Sequence, residues 1–309
     1  MTRTALVVGA GVSGLSSAIR LLEHGFDVTI RAKARTPNTT SDVAAAYYYP
    51  FRAEPKERVV GWSKASLAEF RRIARDAPEA GVYAAEMLHV YPTMLDAPWW
   101  ADLAPGWRNA RVDELPPGYA CGFVAPTFIV EMPRYMPWLE ARAQKLGARF
   151  EQGQVADVRA LDASLVVNCT GLGAREAAAD AGMFPIRGQI VRMQHPGITR
   201  IWSDSDGPNR LAYIAPRRDL MVVGGTAQEN DWRLEPNAAE EIDIIRRASN
   251  LEPRIRDARI VGRAVGLRPG RATVRLEREG RVIHNYGHAG AGVTLSWGCA
   301  DAVLALARA

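Results

Sequence analysis

Val7-Val8-Gly9-Ala10-Gly11-Val12-Ser13-Gly14-Leu15-Ser16 is the stretch on which the fold turns. Before it, Thr4 to Val8 is a short apolar run rich in Val that ends in glycine, the signature of a buried strand. After it, Ser13 to His24 repeats apolar residues at helical spacing, with Leu15, Ala18, Ile19 and Leu22 on one face, and Gly25 stops the helix. Asp27 to Ile30 then reads as a second strand. In that strand–turn–helix–strand context the glycines acquire a purpose: a tight turn, a close approach of backbone to a pyrophosphate, and close packing of helix on strand. The helix N-terminus supplies free N–H groups and partial positive charge for the phosphates. A plain structural glycine turn remains the rival reading.

The second strand runs on as Ile30-Arg31-Ala32-Lys33-Ala34-Arg35, with no Asp or Glu to bond an adenosine ribose. That weakens NAD as the dinucleotide. A 2′-phosphate site and a merely solvated basic turn both stay open.

Outward from this unit, the chain has 309 residues, 48% of them hydrophobic, enough for one large domain or two interleaved ones. A net charge of +5 comes from many Arg scattered among acids, so nucleic acid is not an expected partner, whereas an anionic cofactor or substrate is. Cys121, Cys169 and Cys299 are odd in number and form no CxxC pair, which argues for reduced thiols and against a structural zinc site. No His/Cys/Asp grouping has metal-ligand spacing, and no metal is expected. No apolar run is read as long enough to cross a membrane, the start is too short for a signal peptide, and Leu306-Ala307-Arg308-Ala309 is not a peroxisomal signal. The expectation is a cytoplasmic protein with no membrane partner; a homodimer is compatible with it.

Further along, the pattern predicts a helix from about Trp62 to Arg75, a strand Met87 to Tyr91, a Trp- and Pro-rich stretch Pro98 to Pro117, and a helix Met136 to Leu146 with Pro137 in its first turn. Strands follow at Arg149 to Glu151 and Leu165 to Val167, the latter wholly apolar as in a parallel sheet covered on both faces. Later strands are read at Ile186–Met193, Leu211–Ala215, Leu220–Val223, Ile260–Val265 and Val282–Asn285, and a last helix at Gly292–Arg308. The two domains therefore share the chain in pieces: 1–50, 133–185 and 281–309 against 51–132 and 186–280.

Several separated segments carry a resemblance: the glycine stretch, Thr39-Thr40-Ser41-Asp42-Val43-Ala44-Ala45, Val167-Asn168-Cys169-Thr170-Gly171, Arg259-Ile260-Val261-Gly262, Gly266-Leu267-Arg268-Pro269, and Val282-Ile283-His284-Asn285-Tyr286-Gly287-His288. Together they resemble the FAD-dependent D-amino-acid oxidase and D-aspartate oxidase family, closer to the former. The resemblance implies a Rossmann-like α/β FAD-binding domain interleaved with a mostly antiparallel-sheet, α+β substrate domain. It implies non-covalent FAD, a D-amino-acid substrate and molecular oxygen, yielding a 2-oxo acid, ammonia and hydrogen peroxide. By it, Val8 to Val12 would face the pyrophosphate, and Gly9, Ala10, Gly11, Val12, Ser13 and Gly14 would be cofactor-binding. Thr39, Thr40, Ser41, Ala45, Ala46, Tyr47, Val155 and Thr170 would line FAD elsewhere. Ala289, Gly290, Ala291, Gly292, Val293 and Thr294 would meet the flavin.

The same resemblance makes Arg268 and Tyr213 the groups that hold the α-carboxylate, a task suited to the planar fork of Arg. Gly290 would receive the amino group at its carbonyl, and Tyr49, Trp202 and Ala215 would form the side-chain pocket. Hydride leaves for flavin in this family, so no catalytic base is needed, and His284 and His288 are read as structural or cofactor-facing. Asn209 stands where some relatives carry a lid Tyr, which points to a shorter or more open lid. Gly224-Gly225-Thr226-Ala227 lacks the extra Arg of D-aspartate oxidases, so neutral or apolar D-amino acids are expected, with Arg200 and Arg210 keeping an acidic substrate in play. A glycine- or sarcosine-type oxidase and a non-catalytic flavin-binding protein are the alternatives.

Overall fold

The computed structural model describes residues 3–309. β1 (Arg3–Val8), α1 (Val12–Glu23) and β2 (Phe26–Ala32) form the expected opening unit, with β1 and β2 parallel from Arg3↔Phe26 to Val8↔Arg31. One helical turn, α2 (Thr40–Val43), precedes the long α3 (Lys56–Asp76), and β3 (Val82–Tyr91), β4 (Arg108–Asn109) and β5 (Cys121–Val130) follow. The chain then returns through α4 (Met132–Lys145), β6 (Arg149–Gln152), β7 (Val166–Asn168) and the short α5 (Ala174–Ala177). β8 (Phe184–Met193), β9 (Ile201–Ser203), β10 (Tyr213–Pro216), β11 (Met221–Gly224) and β12 (Gln228–Glu229) come next, then α6 (Ala238–Leu251) and β13 (Ile260–Gly270). β14 (Arg275–Glu279), β15 (Val282–Tyr286) and α7 (Gly292–Arg308) close the chain.

Six strands make the first sheet, in the order β14-β15-β7-β1-β2-β6, all parallel but for the β14–β15 hairpin. β1 is apolar on both faces because both are covered. Ala5 and Val7 join Leu15, Ile19, Leu139, Phe70 and Trp297 of α1, α4, α3 and α7, while Leu6 and Val8 join Val158, Ala174 and Met183. Two pieces assigned by sequence to the other half belong here. α3 buries Leu67, Phe70 and Ile73 in this core, and β14 is its edge strand. The boundary at residue 51 and the one at 281 therefore cut through packed structure.

The second sheet has nine strands, ordered β12-β8-β11-β10-β9-β3-β5-β4, with β13 paired to β8. β8 and β13 run antiparallel over their whole lengths, from Phe184↔Gly270 to Met193↔Ile260. That ladder carries β13 five residues beyond the Val265 end expected, so Arg268 sits within a strand, opposite Ile186.

Two further expectations are corrected. α4 begins at Met132 with Pro133 in its first turn, and Pro137 lies inside the helix, where it removes one intrahelical bond. Ala289–Arg308 is long and apolar enough to cross a membrane by length and composition, with a mean hydropathy of 1.3, contrary to the reading that no run is. It is 67% buried in the protein, packed against α1 and α3.

Candidate active site: a dinucleotide cradle continuous with an unpaired arginine

The turn after β1 is shaped by what cannot be there. Gly9 has φ of 111°, and a Cβ on it would meet the Cys169 carbonyl oxygen at 2.4 Å. A Cβ on Gly14 would lie 1.9 Å from the Gly9 oxygen, so helix and strand approach to a distance only glycine allows. α1 has no side-chain cap, and its first N–H, that of Val12, is received by Ser41 Oγ at 3.0 Å. Val12 and Ser13, at the start of that helix, line the cavity in front of it, where an uncapped helix N-terminus favours an anion.

That cavity measures about 650 Å³ and runs from the turn to the second sheet. Its walls include Gly9, Ala10, Gly11, Val12 and Ser13 at one end, Thr39, Thr40, Ser41, Ala45, Ala46 and Tyr47 along one side, and Val155 and Thr170 opposite. Ala289, Gly290, Gly292, Val293 and Thr294 line it near Tyr49, Tyr213 and Arg268. A groove this long, with a glycine-lined helix N-terminus at one end, fits a dinucleotide. After β2, Arg31 is bonded to Glu151 and Arg35 is held bidentately by Glu140, whereas Lys33 lines the cavity with no ion pair among the described residues.

Four sequence-designated residues do not reach the cavity. Gly14 works through the packing just described, and Ala291 is buried beside Leu295 and Cys299. Trp202 is on the wrong face of β9. Ser203 is in register with Tyr213 and Trp202 with Ile214, so alternation sends Ser203 to the cavity and Trp202 into the core with Ile244 and Leu251. Ala215 lies in the layer beneath, packed with Val43, Ala45 and Tyr47.

At the far end the geometry is that of an anion receptor. Arg268 Nη1 donates to the Thr226 carbonyl at 3.0 Å, and Tyr213, Arg52 and Tyr47 are the other polar groups that act on its charge. No acid pairs with it among the described residues. Burial draws its pKa below the usual arginine value, with Tyr213 opposing the shift. A guanidinium desolvated this way and left without a carboxylate has unmet demand for one. Two glycines make room: a Cβ on Gly188 would lie 2.2 Å from Arg268 Nη1, and one on Gly224 would lie 2.1 Å from Tyr213 Cζ. Thr226 is itself fixed, its hydroxyl accepting from the Gln189 N–H at 2.9 Å.

The histidines are not acid–base groups of this site. His284 is bonded to Glu279 and Asn168, outside the cavity walls. His288 lines the cavity, but its Nε2 is engaged by Asn285 Oδ1 at 3.0 Å, and burial brings its pKa to about 4.

Sequence reading missed Phe51, Ser203, Ser205, Leu211, Thr226 and Trp232 among the walls, and Arg217 behind them. Arg217 is buried and donates to the Ala44 and Ala45 carbonyls at 2.8 to 3.1 Å, holding that wall in place. Its only sequence signal was an arginine following an apolar strand.

The comparisons agree with this geometry. A family model described as "FAD dependent oxidoreductase" (DAO) matches residues 4–306. A D-amino-acid oxidase from Rubrobacter xylanophilus is 46% identical over 99% of this chain and 96% of its own length, and a D-aspartate oxidase from Homo sapiens is 37% identical over 95% and 91%. Glycine oxidase from Geobacillus kaustophilus has the same fold, with a TM-score of 0.82 at 20% identity over 99% of this chain and 95% of that one.

Proposed function

The chain belongs to the DAO family of FAD-dependent oxidoreductases, and from that premise we propose that it oxidises D-amino acids, neutral and apolar ones preferentially. The reaction converts a D-amino acid, dioxygen and water into a 2-oxo acid, ammonia and hydrogen peroxide. The observation that carries the reading is Arg268: a half-buried guanidinium with no acid partner among the described residues, beside a tyrosine hydroxyl and in the same cavity as the dinucleotide cradle.

FAD held along Gly9 to Ser13, Thr39 to Ser41 and Thr170 would supply the acceptor for the Cα hydride and the route by which its electrons reach oxygen. Arg268 and Tyr213 hold the α-carboxylate through charge-assisted bonds and fix the orientation of Cα. Gly290 lines the same end, where its carbonyl is the acceptor we assign to the amino group. α7 starts at Gly292 without a side-chain cap, so its N-terminal dipole would favour negative charge at the end of the cavity that Gly292 and Val293 line. His288, neutral at pH 7, adds no competing charge.

The preference for apolar substrates is supported by Tyr47, Tyr49, Phe51 and Leu211, which line the Arg268 cavity alongside the uncharged Ser203, Ser205 and Thr226. Arg200 is paired with Glu114 and stacked on Trp202, and Arg210 lines the outer recess and not the main cavity, so neither supports a second carboxylate beside Arg268. A cytoplasmic location and a homodimer belong to the same proposal, supported by three unpaired cysteines and by exposed Met94, Leu95 and Trp99. Purified protein given D-methionine, L-methionine and D-aspartate should release peroxide most rapidly with the first; equal or faster turnover of D-aspartate would remove the apolar preference.

A further inference from the structure

Residues 204–212 cross between β9 and β10 and are held at both ends and in the middle. Asp204 is buried, and its carboxylate accepts four bonds. Oδ1 receives the N–H groups of Asp206 (3.1 Å) and Gly207 (2.5 Å), and Oδ2 receives the Asn209 N–H (2.9 Å) and the Tyr119 hydroxyl (2.5 Å). Asn209 is buried as well; its amide donates to the Tyr119 oxygen at 3.0 Å and accepts from Asn250 of α6 at 2.8 Å. At the far end Arg247 of α6 donates to the Arg210 carbonyl at 2.6 Å, and the Leu211 carbonyl accepts from the Gly225 N–H at 2.8 Å. Leu211 keeps φ of 69°, a conformation an L-residue holds only where its surroundings over-determine it.

This segment forms one jaw of an opening. The main cavity and an outer recess of about 190 Å³ share Tyr49, Phe51, Ser205 and Leu211. The opposing jaw is equally fixed. The Tyr49 N–H and carbonyl both bond to Thr294 Oγ1 at 3.0 Å, the Tyr49 ring packs against His89 and Trp100, and Phe51 lies against Gly290.

We propose that Asp204 and Asn209 lock residues 204–212 into a rigid wall, so that the gap between Tyr49 and Phe51 on one side and Ser205 and Leu211 on the other filters substrates by side-chain width. The lock stands on its hydrogen bonds alone; the filter rests on the amino-acid-oxidation reading. Asp204 and Asn209 are positioning residues, acting through Ser205 and Leu211.

Three holoenzyme variants test it: Tyr119→Phe, which removes one donor to Asp204; Asn209→Ala; and Gly207→Ala, whose Cβ would fall 2.8 Å from Asp204 Oδ2. Hydrogen exchange at residues 205–211 should accelerate at least tenfold in each. The ratio of kcat/KM for D-tryptophan to that for D-alanine should rise at least fivefold, with FAD content unchanged. A purely structural role would lower both substrates together and leave the ratio alone. Unchanged exchange overturns the lock, and faster exchange with an unchanged ratio overturns the filter. Absence of peroxide from the wild-type protein with every D-amino acid would instead sink the parent reading, while the exchange measurement still decides the lock.

Discussion

Gly188→Ala should cripple substrate binding without touching the cofactor. Gly188 lies on β8 in extended backbone, so the fold accepts alanine there, and exchanging a strand glycine for alanine gains about 0.5–1 kcal/mol of backbone stability. The new methyl, however, would stand 2.2 Å from Arg268 Nη1 and 2.5 Å from Cζ, against a working minimum of 3.0 Å. The guanidinium must therefore move by about 0.8 Å or more, away from the Thr226 carbonyl that orients it. A misplacement of about 1 Å in a reacting pair costs on the order of 100-fold in rate. We expect kcat/KM for D-methionine to fall about 100-fold, with the flavin spectrum and thermal midpoint kept. Steady-state oxygen consumption, with benzoate binding as a carboxylate probe, reads the effect. Wild-type kcat/KM together with unaltered benzoate affinity would refute the claim that the position of Arg268 orients the substrate.

Arg268→Ala removes the receptor outright. Two charge-assisted bonds of about 1.5–3 kcal/mol each translate into a loss of about 10²–10⁴ in kcat/KM, and FAD retention in the purified variant checks that the damage is local. Arg217→Met releases the Ala44 and Ala45 carbonyls, and FAD affinity by fluorescence titration should weaken about tenfold for each 1.4 kcal/mol of wall order lost. His89 is buried among aromatic rings with both nitrogens unbonded, and burial lowers its pKa from 6.5 to about 3. Because the folded value is depressed, the unfolded chain takes the proton first, and stability is withdrawn as pH falls from 6.5 towards 3. His89→Phe should therefore abolish about 2 kcal/mol of destabilisation between pH 7 and pH 5; the same pH difference in both proteins by urea unfolding would refute this.

The parts of this molecule legible in sequence were those fixed by local chemistry. Gly9 to Gly14 announced both turn and helix, and α7 was read at Gly292–Arg308, as found, because the apolar pattern and flanking glycines agreed. Long-range pairing was not legible. β13 runs through Gly-Leu-Arg-Pro, a poor strand sequence, because ten residues of β8 lie alongside to be paired. β5 carries Gly122 and Pro126 and was missed for the same reason. α6 did offer a signal, Asn237 capping the Glu240 N–H ahead of an apolar stripe, that went unread. In the site, the family resemblance, not residue identity, pointed to Arg268 and Tyr213, and the choice between Trp202 and Ser203 depended on the register of β9 against β10, which one residue of slip reverses. Asn209 was read only as standing where some relatives carry a lid Tyr, whereas the structure makes it a buried node joining Tyr119, Asp204 and Asn250.

Stereospecific peroxide formation is the most direct test of the central claim. The purified, FAD-loaded protein is given D- and L-phenylalanine in air, and peroxide and 2-oxo acid are measured together. The account predicts the two products in equal amounts from the D-isomer and none from the L-isomer. Turnover of the L-isomer, or none of either alongside a full complement of FAD, would contradict it.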